Sequence, residues 1–165
     1  YKNRLDHHYI VMLYYKIACL YFGMGKNEIC IEYLQKIIKS KHLSSAEDLQ
    51  CFARVLNLIA HYECGLDYDL ERQFLDTYKF LLKMENLQEV QKVFLTSIRD
   101  LSDVFPSEIK SEFKKIYKKL KKFENHPYEK RAFLYLDILS WLESKIKNKP
   151  IALIIKEKMI NSTKK

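Results

Sequence analysis

Histidine and cysteine are the residue types in this chain that could support metal binding or nucleophilic catalysis. His61 and Cys64 are three positions apart, so on a helix they would share one face. The adjacent residues His7 and His8 would point about 100° apart and could not hold one metal ion together. A zinc site needs closely spaced ligand pairs, and the chain has no CxxC motif. These spacings favour packed or solvated side chains over a metal centre or a catalytic thiol.

The four cysteines, at positions 19, 30, 51 and 64, each lie within an apolar pattern of helical period. A buried thiol packs as a small hydrophobic residue, so we expect all four to be reduced side chains of the core. Reduced thiols are typical of the cytoplasm, which is the compartment that we expect. No apolar run approaches the roughly 18 residues that span a bilayer, so we expect no membrane partner.

The sequence contains no GxSxG, HExxH, P-loop or dinucleotide-binding motif. Residues 67–71 have the spacing that begins a calcium loop, but the glycine and the final glutamate of such a loop are missing. We expect these carboxylates to stabilise the start of a helix instead. The sequence therefore predicts a chain that is not an enzyme and has no cofactor.

Lysines are concentrated in the second half of the chain. Residues 84–165 hold 18 basic and 11 acidic side chains, so they carry most of the net charge of +8. The segment 107–124 alone contributes Lys110, Lys114, Lys115, Lys118, Lys119, Lys121 and Lys122. The simpler interpretation is the solvated face of an outer helix, and the alternative is a patch for nucleic acid or another acidic partner. The choice of lysine over arginine weakens recognition of bases and phosphates.

Composition and periodicity together predict an all-α fold. The 165 residues are 48% hydrophobic and 30% charged, with only three Gly and three Pro. Such a scarcity of turn formers argues against a β-sandwich or barrel, and apolar residues recur every three or four positions. We predict helices near residues 6–24, 28–40, 45–64, 69–83, 86–104, 107–124 and 128–146, and a last short helix that begins at Pro150. The narrow polar stripe of 128–146 is typical of a helix that is buried on most sides.

Short connections between these helices predict antiparallel hairpins. The hairpins span about 6–40, 45–83, 86–124 and 128–160, and a polar tail follows at 161–165. A two-helix unit that repeats about every 40 residues is more typical of a solenoid than of a closed bundle, so we expect one helical-repeat domain over 1–160. The chain begins with neither an initiator Met nor a signal-peptide pattern, and we expect it to be a piece of a longer protein.

The first hairpin resembles a tetratricopeptide repeat. The matching residues are Tyr14, Ile17, Ala18 and Tyr21 on the first helix, Gly25 at the turn, and Cys30 and Leu34 on the second helix. Ala18 and Cys30 would let the two helices approach closely, and Tyr21 would fill the space beside them. The segments 52–63 and 127–133 are also similar to a group of uncharacterised long-helix bacterial repeat proteins.

The resemblance implies a right-handed α–α superhelix of about four hairpins, a solenoid that binds a peptide or protein in its concave groove. The first helix of each hairpin would line this groove. The implied groove residues are Met12, Tyr15, Cys19 and Phe22 from the first hairpin and Leu56, Ala60 and Glu63 from the second. Ordinary core packing is an equally good interpretation of all seven. We therefore expect a non-catalytic scaffold for a protein partner, with the lysine-rich helix as the nucleic-acid alternative and the oligomeric state left open.

Overall fold

The structure, a computed structural model, describes residues 2–40, 47–65, 67–84, 89–101 and 103–164. Over these residues the chain forms helices and no strand, which confirms the predicted all-α fold. The helices are α1 (Lys2–Gly23), α2 (Asn27–Ile38), α3 (Glu47–Glu63), α4 (Asp67–Leu82), α5 (Glu89–Leu101), α6 (Ile109–Lys121), α7 (Arg131–Tyr135), α8 (Ile138–Lys147) and α9 (Ile151–Ser162). The predicted starts of the second and third hairpins, at residues 45 and 86, lie outside the described residues.

The chain divides into two compact units, Tyr1–Leu87 and Gln88–Lys165, which we call unit 1 and unit 2. In unit 1 each helix packs against the next along the chain, and α3 also contacts α1. In unit 2 α6 packs against α5 and α8, and α9 packs against α8. The helix pairs predicted as hairpins are thus in contact inside each unit, while a single repeat domain over 1–160 stays a prediction.

Helix α3 is the central helix of unit 1. From Leu49 to His61 every side chain except that of Arg54 is buried, because α1, α2 and α4 all pack against this helix. Its buried polar residue Asn57 accepts a hydrogen bond from Gln35 Nε2 at 3.2 Å and donates one to Gln73 Oε1 at 3.0 Å. Buried polar groups need such partners, and these two bonds fix α3 against α2 and α4.

The connection between α1 and α2 is a tight turn at Gly25. Gly25 has a φ of 73°, a left-handed conformation that favours glycine, and its N–H donates to the Phe22 carbonyl at 3.0 Å. Beyond this turn, Ala18 and Cys30 are both fully buried. Small side chains therefore occupy the interior of the first hairpin.

Unit 2 is built around Trp141, the one tryptophan of the sequence. The indole ring is 1% exposed, and it meets Phe94 of α5 and Phe113 of α6 edge to face, at centroid distances of 6.1 and 5.7 Å. Edge-to-face packing of this kind stabilises a core beyond simple burial. Trp141 thus joins α8 to both α5 and α6.

The predicted continuous helix over 128–146 is wrong. Helix α7 ends at Tyr135, Leu136 is extended with φ −142° and ψ 110°, and α8 begins at Ile138. Asp137 caps α8, because its carboxylate accepts the Ser140 N–H at 3.0 Å. The apolar pattern that suggested a single helix belongs to two short helices separated by an extended residue.

Candidate functional site

The seven residues predicted to line a groove lie in or beside the core of unit 1. The buried members are Tyr15, Phe22, Leu56 and Ala60, and the half-buried members are Met12, Cys19 and Glu63. Even Tyr15, the aromatic residue best suited to anchor a partner, is only 4% exposed. This burial favours core packing over ligand contact as the interpretation of these positions.

The thiols of the first hairpin are held in their protonated form by burial. The pKa of Cys30 is raised from 9.0 to about 12, mainly by burial and also by the neighbouring Cys19 and Cys64. Burial also raises the pKa of Cys19 to about 11, although a hydrogen bond with Tyr15 acts in the opposite direction. The thiolate is the nucleophile and the metal ligand, so neither Cys19 nor Cys30 is suited to those roles near neutral pH.

His61 and Cys64, the pair with metal-ligand spacing, lie in the last turn of α3 and just beyond its end. His61 is buried, and its Nδ1 donates to the carbonyl oxygen of Asn57 at 2.7 Å. Among the described residues, no group of three or more His, Cys, Asp and Glu side chains could hold a metal ion. The calcium-like stretch coincides with the start of α4 at Asp67, and the side chains of residues 67–69 lie outside the description.

One polar cluster in unit 2 has the residue types of a Ser–Lys catalytic pair. Lys158 Nζ lies 2.9 Å from Ser140 Oγ and 2.8 Å from Glu143 Oε1. Burial disfavours the charged form of Glu143, but hydrogen bonds and charge, first those of Lys158, outweigh it and lower the pKa of this carboxyl. Ser140 is 0% exposed, and its hydroxyl donates to Asp137 at 2.6 Å, so a substrate has no access to it. The cluster therefore joins α8 to α9 rather than activating a nucleophile.

Helix α1 and Met24, the residue directly after it, carry an exposed row of large apolar side chains, which we call the apolar stripe. Its members and their exposed fractions are Tyr9 (66%), Ile10 (44%), Leu13 (55%), Leu20 (63%) and Met24 (56%). At about 100° per residue, four of them lie within about 60° of one another around the helix, and Ile10 lies at the edge. With a rise of about 1.5 Å per residue, the stripe extends for about 22 Å.

The apolar stripe lies opposite the face by which α1 packs into unit 1. The buried residues of the helix are Val11, Tyr15, Ala18 and Phe22, and their mean direction is about 180° from that of the stripe. A helix with apolar residues on both faces is typical of an element that is covered on both sides. Among the described residues of unit 1, neighbouring helices cover the inner face of α1, and the stripe residues on the other face are exposed.

An aromatic ladder fixes α1 to α2 beside the apolar stripe. Tyr33 of α2 lies between Tyr14 and Tyr21 of α1, with ring centroids 5.9 and 6.0 Å apart. Lys36 Nζ lies 4.4 Å from the centroid of the Tyr33 ring, a cation–π distance. These contacts add to the core in setting the orientation of α1.

The seven lysines predicted as a basic patch are all exposed on α6 and at its end, and we call this surface the lysine face. Lys115 pairs with Glu112, and Lys121 pairs with Glu124 at 2.6 Å. Lys110, Lys114 and Lys118 follow one another at intervals of four residues along one side of the helix. No ion pair joins these three to a carboxylate in the described part of the chain.

Two further exposed apolar groups belong to α4 and α9. On α4 they are Leu75 (44%), Tyr78 (40%) and Leu82 (63%), which we call the α4 patch; on α9 they are Leu153, Met159 and Ile160. No helix in the described ranges combines the length and the apolar character that crossing a bilayer requires.

Comparisons of the chain with family models, curated proteins and solved structures give no match. Sequence reasoning missed the apolar stripe, although one signal was present. Large apolar residues occupy both sides of α1, more than one buried face can use.

Proposed function

We propose that the protein is a non-catalytic interaction module whose hairpins stack as a right-handed α–α superhelix and which binds a protein or peptide partner on the apolar stripe of α1. The partner class is the one that the sequence predicts. The proposed contact surface differs from the predicted one. The predicted groove residues are mostly buried, whereas the stripe on the opposite face of α1 is exposed.

The observation that supports this proposal is the exposure of five large apolar side chains in one row. A typical monomer's largest exposed apolar patch is about 300–600 Å², and patches of that size are often functional. The fractional exposures of the stripe residues put it in this range, on the order of 500 Å². A row spaced three, four and seven residues apart also matches the way in which helices dock against apolar surfaces.

Site-specific photo-crosslinking tests the proposed surface. A photoreactive amino acid is placed at Leu13 or Leu20 of the full chain in its own cells, and at Glu32, an exposed residue of α2, as the control. We expect discrete protein adducts from the two stripe positions and none from Glu32. Equal adducts from all three positions, or none from the stripe, would contradict the proposal.

The lysine face supports one second candidate, a nucleic-acid-associated role. Its lysines are exposed, and three of them lie in a row without ion pairs in the described part of the chain. Each phosphate contact adds to the salt dependence of binding. Replacing Lys114, Lys118 and Lys122 by Gln should then weaken duplex binding and make it less dependent on salt. Binding to DNA and RNA that is absent, or unchanged in this variant, would remove the candidate.

A further inference from the structure

We infer that the apolar stripe is a self-complementary contact through which two copies of the chain associate, with α1 packed antiparallel on α1 of the second copy. The inference rests on the proposed function and names the partner at that surface. It is carried by the spacing of the stripe residues and by the area that they expose.

The main residues of the stripe are placed symmetrically about one point of α1. Leu13 and Leu20 are equally far from the midpoint between residues 16 and 17, and so are Tyr9 and Met24. A two-fold axis through that midpoint places Leu13 opposite Leu20 of the second copy and Tyr9 opposite Met24. Two-fold dimers use the same patch on both subunits, so a row that is symmetric about one point places large apolar residues opposite large apolar residues across the axis. A contact with a partner of a different sequence does not require this symmetry.

The exposed area agrees with a weak dimer. If each copy buries about 500 Å² of stripe, the contact removes on the order of 1,000 Å² from water, which is close to the lower limit for a specific interface. Interfaces of this size give modest affinity, since association also loses translational and rotational freedom. We therefore expect a reversible dimer with a dissociation constant of roughly 1–100 µM.

Lys16 is the charged residue beside the symmetry point, and it is exposed. In the antiparallel pair the two copies of Lys16 are offset by only about 1.5 Å along the helix axis, so their charges repel each other. Their aliphatic stems can still cover apolar surface while the ammonium groups stay in water. Salt screens the repulsion between the two lysines and also the general repulsion between two chains that each carry a net charge of +8. Association should therefore strengthen as salt is raised.

Sedimentation velocity from 1 to 500 µM, at low and high salt, tests the association directly. We expect a concentration-dependent dimer that Leu20→Asp weakens at least tenfold. Leu153→Asp, the same change at an exposed residue of α9, is the matched control and should leave the dimer unchanged. Circular dichroism of both variants checks that the helices persist. A wild-type chain that stays monomeric, or equal losses in both variants, would overturn the inference.

Engineered cysteines test the antiparallel register. When Leu13→Cys and Leu20→Cys chains are mixed and oxidised, we expect the mixed pair to cross-link, because the two sites face each other. Two Leu13→Cys chains should not cross-link, because their sites are about 10 Å apart along the axis, beyond disulfide reach. The wild-type chain measures the background from the native cysteines. Cross-linking of like with like, and not of the mixed pair, would indicate parallel packing and overturn the inference.

A charge exchange at the axis tests the symmetry. Lys16→Glu mixed with wild type should give a mixed dimer at least several-fold tighter than either chain alone, because opposite charges then face each other. A mixture that associates no more tightly than either chain alone would contradict the symmetric contact.

Failure of this inference is distinct from failure of the proposed function. A monomeric chain whose photoreactive stripe captures a different protein would retain that function, whereas no adduct at the stripe would remove it.

Discussion

Tyr15 and Leu13 are two positions apart on α1, and the helix directs them into opposite surroundings. Tyr15 is 4% exposed, whereas Leu13 is 55% exposed. Replacing a buried aromatic residue by Ala leaves a cavity, so Tyr15→Ala should lower the free energy of unfolding of unit 1 by about 3–5 kcal/mol. Leu13→Ala should change it by no more than about 0.5 kcal/mol. Urea denaturation followed by circular dichroism measures both, and similar losses in the two variants would contradict the assignment of the two faces.

The buried thiols predict a loss of stability at alkaline pH. An unfolded thiol ionises near 9.0, whereas Cys19 and Cys30 keep their protons until about 11 and 12 in the folded chain. Between these values the unfolded state binds fewer protons, so unfolding becomes easier as the pH rises. We expect these two thiols to leave the urea midpoint of unit 1 unchanged well below pH 9 and to lower it steadily from pH 9 to 11. Cys30→Ala should make that decline shallower. An identical slope in this variant would show that other groups are responsible.

At the scale of single residues, the sequence identified which positions are apolar better than it identified the face of the helix on which each side chain lies. The periodic pattern placed Cys30 in the core, where it is fully buried. It could not assign an outer face to α1, because apolar residues occupy both sides and burial depends on which side the neighbouring helices cover. Tyr15 and Leu13 both count as large apolar positions in the periodic pattern, so only the packed structure separates the core residue from the surface one.

At the scale of the helices, the stability of α8 depends on the residue that caps its start. The Asp137 carboxylate accepts from the N–H of Ser140 at 3.0 Å and from its hydroxyl at 2.6 Å. Asp137→Ala should therefore destabilise unit 2 by about 0.5–2 kcal/mol, and Asp137→Asn, which keeps an acceptor oxygen, should cost much less. Thermal unfolding followed by the fluorescence of Trp141 gives the comparison. A loss in the Asn variant as large as in the Ala variant would show that the cap is not the source.

The break between α7 and α8 also shows why element boundaries are hard to predict. Apolar residues continue across Leu136 and Asp137 without a Gly or Pro, so the periodic pattern gives no reason to end a helix there. The reason is the Asp137 side chain, which satisfies an N–H of the next helix and makes a new start favourable. An aspartate inside a helical pattern becomes recognisable as a cap only when its hydrogen-bond partners are known.

In the molecule as a whole, each unit has its own core, and Trp141 reports on unit 2 alone. Circular dichroism reports on the helices of both units. We expect Tyr15→Ala to move the unfolding transition seen by circular dichroism and to leave the Trp141 fluorescence transition in place. Non-coincident transitions are the test for departure from two-state unfolding. Equal shifts of both signals would show that the units unfold as one body.

The sequence predicted the all-α class of the chain because this class follows from local features. These features are the scarcity of Gly and Pro and the recurrence of apolar residues every three or four positions. The stacking of the hairpins cannot be predicted in the same way. It depends on which exposed face of one helix meets which face of another, and in this chain α1, α4 and α9 all offer apolar candidates. A linear pattern does not rank such faces, so the superhelix remains a proposal.

The Tyr14–Tyr33–Tyr21 ladder has a kinetic consequence for any partner of α1. Because the ladder and the core hold this helix from two sides, its outer face is preorganised before a partner arrives. Docking then loses little conformational entropy and requires no slow rearrangement. Association should follow a single phase, with a rate constant of about 10⁵–10⁷ M⁻¹s⁻¹, as for rigid surfaces. Removing the Tyr33 ring should slow association more than it speeds dissociation, since the helix would first have to find its bound orientation.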